Sequence, residues 1–180
     1  MNFFYKLKCL SRHLWLDAGD THKAVSPQLL DKLAQRVTVS EGRHTGEVRI
    51  CIEAGLPLSY VWRLGDACNM ADLVHQRALM MFSKLRTWDT EQNNGVLVYL
   101  LLGEHAIEII ADRGLSHRIP QTHWKEVIAH MSGTLREGRF EDGITDALAE
   151  VSALLVAHYP SAAAGASSAV NELPDPPFLG

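Results

Sequence analysis

The sequence predicts an α/β fold, a three-layer α/β/α sandwich on a small mixed β-sheet. Three observations carry this. The run Val96-Leu97-Val98-Tyr99-Leu100-Leu101-Leu102 is apolar on both faces and rich in strand formers, as in a central strand covered above and below. A helical pattern of about 18 residues separates it from an earlier alternating strand, a length that suits a right-handed parallel crossover. In a chain of 180 residues, 47% hydrophobic and 21% charged side chains match one globular domain and not a disordered polymer.

Three segments are expected: an N-terminal amphipathic stretch over 1–25, a domain over 26–160 and a disordered tail over 161–180. In the first, Phe3, Leu7, Leu10 and Leu14 form a helical stripe with Lys6, Lys8 and Arg12 on other faces. Those cations interrupt any signal-peptide core. The stripe has two readings, a helix docked on the domain's own core and a helix resting on an anionic membrane through residues 1–16. Ser26 and Pro27 then open a helix as N-cap and first residue, with Leu29, Leu30, Leu33 and Val37 on one face and Gly42 as its stop. Val48, Ile50 and Ile52 alternate with Arg49, Cys51 and Glu53 as a strand. Residues 55–65 read as a loop, and Met70, Leu73, Val74, Ala78, Met81, Phe82 and Leu85 as one face of a long helix.

After the central strand, Gly103-Glu104-His105 turns the chain and residues 106–111 return antiparallel, ended by Asp112-Arg113-Gly114. Two helices close the domain. The first carries Trp124, Val127, Ile128, Met131 and Leu135 on one face, and the second Ile144, Ala147, Leu148, Val151, Leu154 and Leu155. Beyond Pro160 the chain is Ala, Ser, Gly and Pro with little to bury, hence the expected disordered tail.

Composition and motifs exclude several functions. Seventeen Lys and Arg against 21 Asp and Glu give a net charge of −4, which argues against nucleic acid as a partner. No G-x-G-x-x-G, Walker phosphate loop or G-x-S-x-G elbow occurs. The three cysteines make no framework, and Cys51 on an apolar strand reads as core. Nine histidines include no H-E-x-x-H. His123 and His130 are seven residues apart on one helix, too far to share a metal. Trp88 and Trp124 read either as a ligand-stacking platform or as seals on the core edge.

The one constellation with chemistry is the polar run before the central strand, with Asp89, Glu91, Asn93 and Asn94 in six residues. Such oxygen donors suit Ca²⁺ or Mg²⁺, held weakly. The alternative is a solvated turn in which Asn93, Asn94 and Gly95 supply backbone freedom. The hairpin should bring Asp112 to the same end of the sheet, with Arg113 as the partner that neutralises the carboxylates. Glu53 and Glu104 should lie at the opposite, carboxyl ends of the strands.

Residues 44–160 resemble the TPM domain family, which includes a thylakoid-lumen protein linked to photosystem II repair and bacterial envelope proteins. The resemblance rests on Gly46-Glu47-Val48-Arg49-Ile50, on Trp88-Asp89-Thr90-Glu91-Gln92-Asn93-Asn94-Gly95 with the strand that follows, on Glu108-Ile109-Ile110-Ala111-Asp112-Arg113-Gly114-Leu115, and on Phe140-Glu141-Asp142-Gly143-Ile144. It implies the sandwich fold and, in some members, a divalent-metal site before the central strand and a weak acid phosphatase activity. Typical members carry Asp at the positions of Asn93 and Gln121, so two carboxylates are missing here. Two functions stay open. One is a non-enzymatic module that binds a protein partner, such as a membrane protein, in membrane-protein or envelope maintenance. The other is a low-efficiency, metal-assisted acid phosphatase. The expected binding residues are Asp89, Glu91, Asn93, Asn94 and Asp112 for the metal, with Trp88 and Arg113 beside them. The interrupted N-terminus and unpaired cysteines point to the cytoplasm, peripheral to the inner membrane where residues 1–16 touch it.

Overall fold

In the computed structural model, residues 3–16, 18–161 and 171–180 are described. Strands β1 (Val48–Glu53) and β2 (Val96–Leu101) run parallel, with Val48 opposite Val96 and Glu53 opposite Leu101. Strand β3 (Ala106–Ala111) returns antiparallel along β2, and β4 (Phe178–Leu179) joins the far side of β1 in parallel, for an order of β3-β2-β1-β4. Every residue of β1 and β2 is buried. Strand geometry sends alternate side chains to opposite faces, so each face needs its own cover.

The cover comes from two helical layers. Val48, Ile50, Ile52, Val96, Val98 and Leu100 pack against α3 (Pro27–Glu41), α7 (Gln121–Arg136) and α8 (Phe140–His158). Cys51, Leu97, Tyr99 and Leu101 face α1 (Phe3–Trp15), α4 (Leu58–Val61) and α5 (Met70–Lys84). This is the expected α/β/α sandwich on a small mixed sheet. Burial holds the Cys51 thiol well above its ordinary pKa, in keeping with its core reading.

Local sequence explains where the helices begin. The Ser26 hydroxyl accepts the Leu29 N–H at 3.2 Å, and Pro27 occupies the first turn of α3. Asn69 and Asp72 form a reciprocal capping box at the start of α5, with bonds of 3.0 and 2.9 Å. Two short helices carry no periodicity that marks them: α2 (Ala18–Ala24), and α4 inside the expected loop over 55–65. A third, α6 (Arg113–Ser116), follows β3.

The tail expectation needs correction over 171–180. Glu47 accepts the backbone N–H groups of Glu172 and Leu173, at 3.3 and 3.2 Å. Arg49 donates to the carbonyls of Pro174 and Pro176, and the Gly180 N–H reaches the Ile52 carbonyl at 3.0 Å. The segment is held by two buried charged side chains of the β1 strand and its approach, together with the buried Leu173 and with Phe178 and Leu179, which pack on the core. So few apolar residues in a Pro-, Ala- and Ser-rich stretch concealed it. Residues 162–170 of the expected tail lie outside the described residues.

The N-terminal stripe is also corrected. The face of α1 turned to the domain carries Cys9 and His13, both buried, with Lys6 and Leu10 half-buried. Leu7 and Leu14 are exposed, and the side chain of Phe3 lies outside the described residues. His13 decides the orientation: its Nδ1 accepts the Leu56 N–H at 3.0 Å, which leaves Nε2 to donate to Glu104 at 3.1 Å.

Glu41, the last residue of α3, accepts the Val48 N–H at 2.8 Å and so ties the helix to β1. Burial raises its pKa to about 8; the Val48 N–H opposes the rise, and the nearby carboxylates of Glu47 and Asp175 add to it. The unfolded chain releases this proton near pH 4.3, roughly. Between the two values the folded state binds more protons, so this group's stabilising contribution is present in acid and is lost as pH rises towards 8. Glu41→Gln keeps an acceptor for Val48 and removes the titration. We expect the variant to match wild type near pH 4 and to exceed it by on the order of 1–2 kcal/mol at pH 8–9, read from denaturant unfolding across pH.

Candidate functional site

The polar run after α5 turns back twice before β2. Arg86 adopts a left-handed backbone with φ 57°, and its guanidinium pairs with Asp89 at 2.7 Å. Asn93 is left-handed as well, with φ 53°, a conformation that asparagine tolerates better than most residues. Its N–H returns to the Thr90 carbonyl at 3.1 Å, and the Thr90 hydroxyl accepts the Asn94 N–H at 3.1 Å.

This turn is then stitched to the end of β3. The Asp112 N–H donates to the Gly95 carbonyl and the Gly114 N–H to the Asn93 carbonyl, both at 2.9 Å. Each glycine is there for lack of room. A Cβ on Gly95 would sit 1.9 Å from the Thr87 carbonyl oxygen; one on Gly114 would sit 2.4 Å from the Asn93 carbonyl oxygen and 2.6 Å from the Tyr159 hydroxyl. Asn-Asn-Gly and Asp-Arg-Gly are therefore two halves of one packed corner.

Four of the expected residues meet in that corner. Arg113 donates from Nε and Nη2 to the Asn93 side-chain oxygen, at 2.9 and 2.5 Å. Asp112 caps α6, with Oδ1 accepting the Arg113 N–H at 2.7 Å. Asn94 is fully buried and its amide donates to the Thr45 carbonyl at 3.0 Å. Three side-chain oxygens on residues packed about Gly95 are buried without a hydrogen-bond partner: Thr87 Oγ1, Asn94 Oδ1 and Asp112 Oδ2.

The acidic cluster expected from spacing does not assemble. Asp89 is engaged by Arg86, three residues away, and the backbone N–H of the exposed Glu91 binds the Glu172 carboxylate at 2.9 Å. Arg113 takes the neutral amide of Asn93 and not a carboxylate. Among the described residues, no group of three His, Cys, Asp or Glu side chains is placed to hold a metal ion. Gln121 is exposed at the start of α7. Trp124 is buried in the core, whereas Trp88 is 48% exposed beside the turn. Spacing gave no warning of Thr87, because its contact with Gly95 exists only once the chain has folded back on itself.

Glu53, the last residue of β1, and Glu104, three residues after β2, do lie at the carboxyl ends, and both are held in ion pairs. Glu53 is clasped by Arg77 and accepts the Tyr99 hydroxyl at 2.8 Å. Glu104 receives Arg12 at 3.0 Å and His13 at 3.1 Å, and these partners hold its carboxyl below the usual range although burial acts to raise it.

A mixed sheet covered on both faces, with a polar corner at the amino end of its central strand, defines the class of α/β/α domain to which this chain belongs. The TPM domain model matches residues 19–154, and the chain is a member of that family. Among solved structures it is similar to the BA42 protein of the psychrophilic bacterium Bizionia argentinensis, with a TM-score of 0.70 and 19% identity over 87% of this chain and 95% of that one. It is also similar to the N-terminal domain of a P. gingivalis protein, with a TM-score of 0.55 and 18% identity over 76% of this chain and 82% of that one. At these identities the likeness is one of fold. No curated protein sequence matches the chain.

The corner's packing can be tested against an unconstrained glycine. Gly95→Ala is expected to lower the unfolding free energy by about 1–3 kcal/mol, because the Thr87 backbone must move. Gly133→Ala, exposed within α7 with nothing near its Cβ position, is expected to stabilise by about 0.5–1 kcal/mol. Chemical denaturation of both variants checks the contrast.

Proposed function

We propose that this TPM domain is a non-catalytic binding module whose polar corner engages a protein partner in membrane-protein or envelope maintenance, with a weak site for Ca²⁺ or Mg²⁺. The supporting observation is the set of buried, unpaired oxygens of Thr87, Asn94 and Asp112. A buried polar atom without a partner costs about 1–3 kcal/mol, so such a group calls for an explanation, and a bound ion is one. Hard divalent cations take oxygen donors of this kind. Asp112, Asn94 and Thr87 would hold the ion, and a bound cation would neutralise Asp112 and brace the turn against the end of β3.

The same donor set argues for binding over catalysis. It supplies one carboxylate, since Asp89 belongs to Arg86, Glu91 is exposed and the Asn93 oxygen belongs to Arg113. Metal-assisted phosphoryl transfer needs firmly held cations and a prepared nucleophile. A single negative charge suits an affinity on the order of 10⁻⁴ to 10⁻³ M.

Calcium titration followed by amide chemical shifts tests the site. Wild type and Asp89→Ala are expected to shift around residues 87, 94 and 112 in that range, and Asp112→Asn is expected not to. Hydrolysis of a generic phosphomonoester should be equal for wild type and Asp112→Asn, with or without magnesium. A magnesium-dependent activity that Asp112→Asn removes would replace this reading with the acid phosphatase.

A further inference from the structure

Helix α1 has two apolar sides, and the domain uses one. Opposite the docked Cys9 and His13, the solvent face carries Phe4 at 75%, Leu7 at 53%, Leu14 at 64% and Trp15 at 82% exposure. On a helical wheel these four fall within an arc of roughly 100°, broken by Ser11 alone. Trp62, at the end of α4, is 70% exposed. Lys6 ties it to α1, with Nζ donating to the Trp62 carbonyl at 2.7 Å and lying 5.4 Å from the indole centroid. Scattered apolar residues on a surface need no account, but a one-sided array of large side chains marks a contact surface.

From the exposed face and its charges we infer that α1 is a preformed docking surface for an anionic lipid bilayer. The charge pattern selects this occupant. The chain carries −4 overall, yet α1 (FFYKLKCLSRHLW) holds no acidic residue. With Lys6 turned to Trp62 and Arg12 paired with Glu104, it presents the exposed Lys8 at the edge of the apolar arc, and Arg63 is exposed next to Trp62. Cations of one sign beside Trp and Leu on a single helix are the make-up of a helix that lies in the headgroup region. A second copy of the chain fits worse, because a two-fold contact would set these cations against themselves.

Nor does the helix have to fold on arrival. Arg12 and His13 hold it to Glu104, and Leu56 holds His13, so the apolar arc is presented by a packed domain. Glu104 follows β2, while the polar corner precedes it. Membrane contact through α1 therefore leaves the corner at the far end of the central strand, free for a partner. Among the described residues no helix is long and apolar enough to cross a membrane, so the contact would be peripheral.

The test is co-sedimentation of the full chain with vesicles of phosphatidylcholine alone or mixed with phosphatidylglycerol, alongside analytical ultracentrifugation without lipid. Wild type is expected to partition onto the mixed vesicles at least about tenfold more than onto phosphatidylcholine, and to be released by salt. Leu7→Ser/Leu14→Ser/Trp15→Ser is expected to lose binding while keeping the wild-type thermal unfolding, because all three side chains are exposed. Lys8→Glu should weaken binding by on the order of tenfold. Equal partition onto both vesicle types, or binding unchanged in the triple variant, would overturn the inference. So would a wild-type dimer that the triple variant abolishes, since the face would then join two copies of the chain.

Discussion

A pair of parallel strands buried along their whole length, β1 beside β2, is the constraint to which the rest of the structure answers. Neither strand has a wet face, so no polar side chain on them can reach water sideways and helices must close both sides. That requirement explains why helices from both halves of the sequence are spent on the sheet. It also explains the few charged groups within it. Glu53 is tolerated because Arg77 and Tyr99 clasp it, and burial together with that carboxylate holds the Tyr99 phenol far above its ordinary pKa.

Polar chemistry is thereby pushed to the ends of the strands, and the two ends differ in kind. At the carboxyl end the acids are matched: Glu53 has Arg77, and Glu104 has Arg12 and His13. These bonds are spent on attaching α1 and closing the core. At the amino end the backbone is the organiser. Gly95 and Gly114 let two loops touch, and the packing leaves three oxygens facing inward without donors. A corner of that kind is closely packed in its main chain and leaves side-chain oxygens buried without hydrogen-bond partners.

The flank of β1 follows the same logic with backbone partners. Glu47 and Arg49 are mostly buried. The N–H groups of Glu172 and Leu173 bond the Glu47 carboxylate, and the carbonyls of Pro174 and Pro176 accept from Arg49 Nη1, while Arg49 Nε stays buried and unpaired. A two-residue strand is too short to hold itself in a sheet, so those charge-assisted bonds act with the burial of Leu173 and the core packing of Phe178 and Leu179 to hold β4 in place. The segment in turn covers an edge that would otherwise offer unpaired main-chain groups.

By itself the sequence determined the class of fold, the three long strands and the five longer helices, because periodicity and capping are local and the domain obeys them. Ser26-Pro27 and Asn69 with Asp72 stand where such signals should stand. It also carried the family resemblance, through the corner's Asn-Asn-Gly and Asp-Arg-Gly. Tertiary structure alone decided which side of α1 is buried, because a leucine stripe competes there with a histidine that Leu56 and Glu104 both require. It decided that residues 178–179 are a strand, since the anchors lie more than a hundred residues away in sequence. It also gave the carboxylates at the turn different partners. Asp89 and Asp112 are both near the turn, but a left-handed residue at 86 brings an arginine to one and the start of α6 takes the other. Spacing sets which residues reach a corner; where each side chain points there depends on backbone dihedrals and on partners distant in the chain.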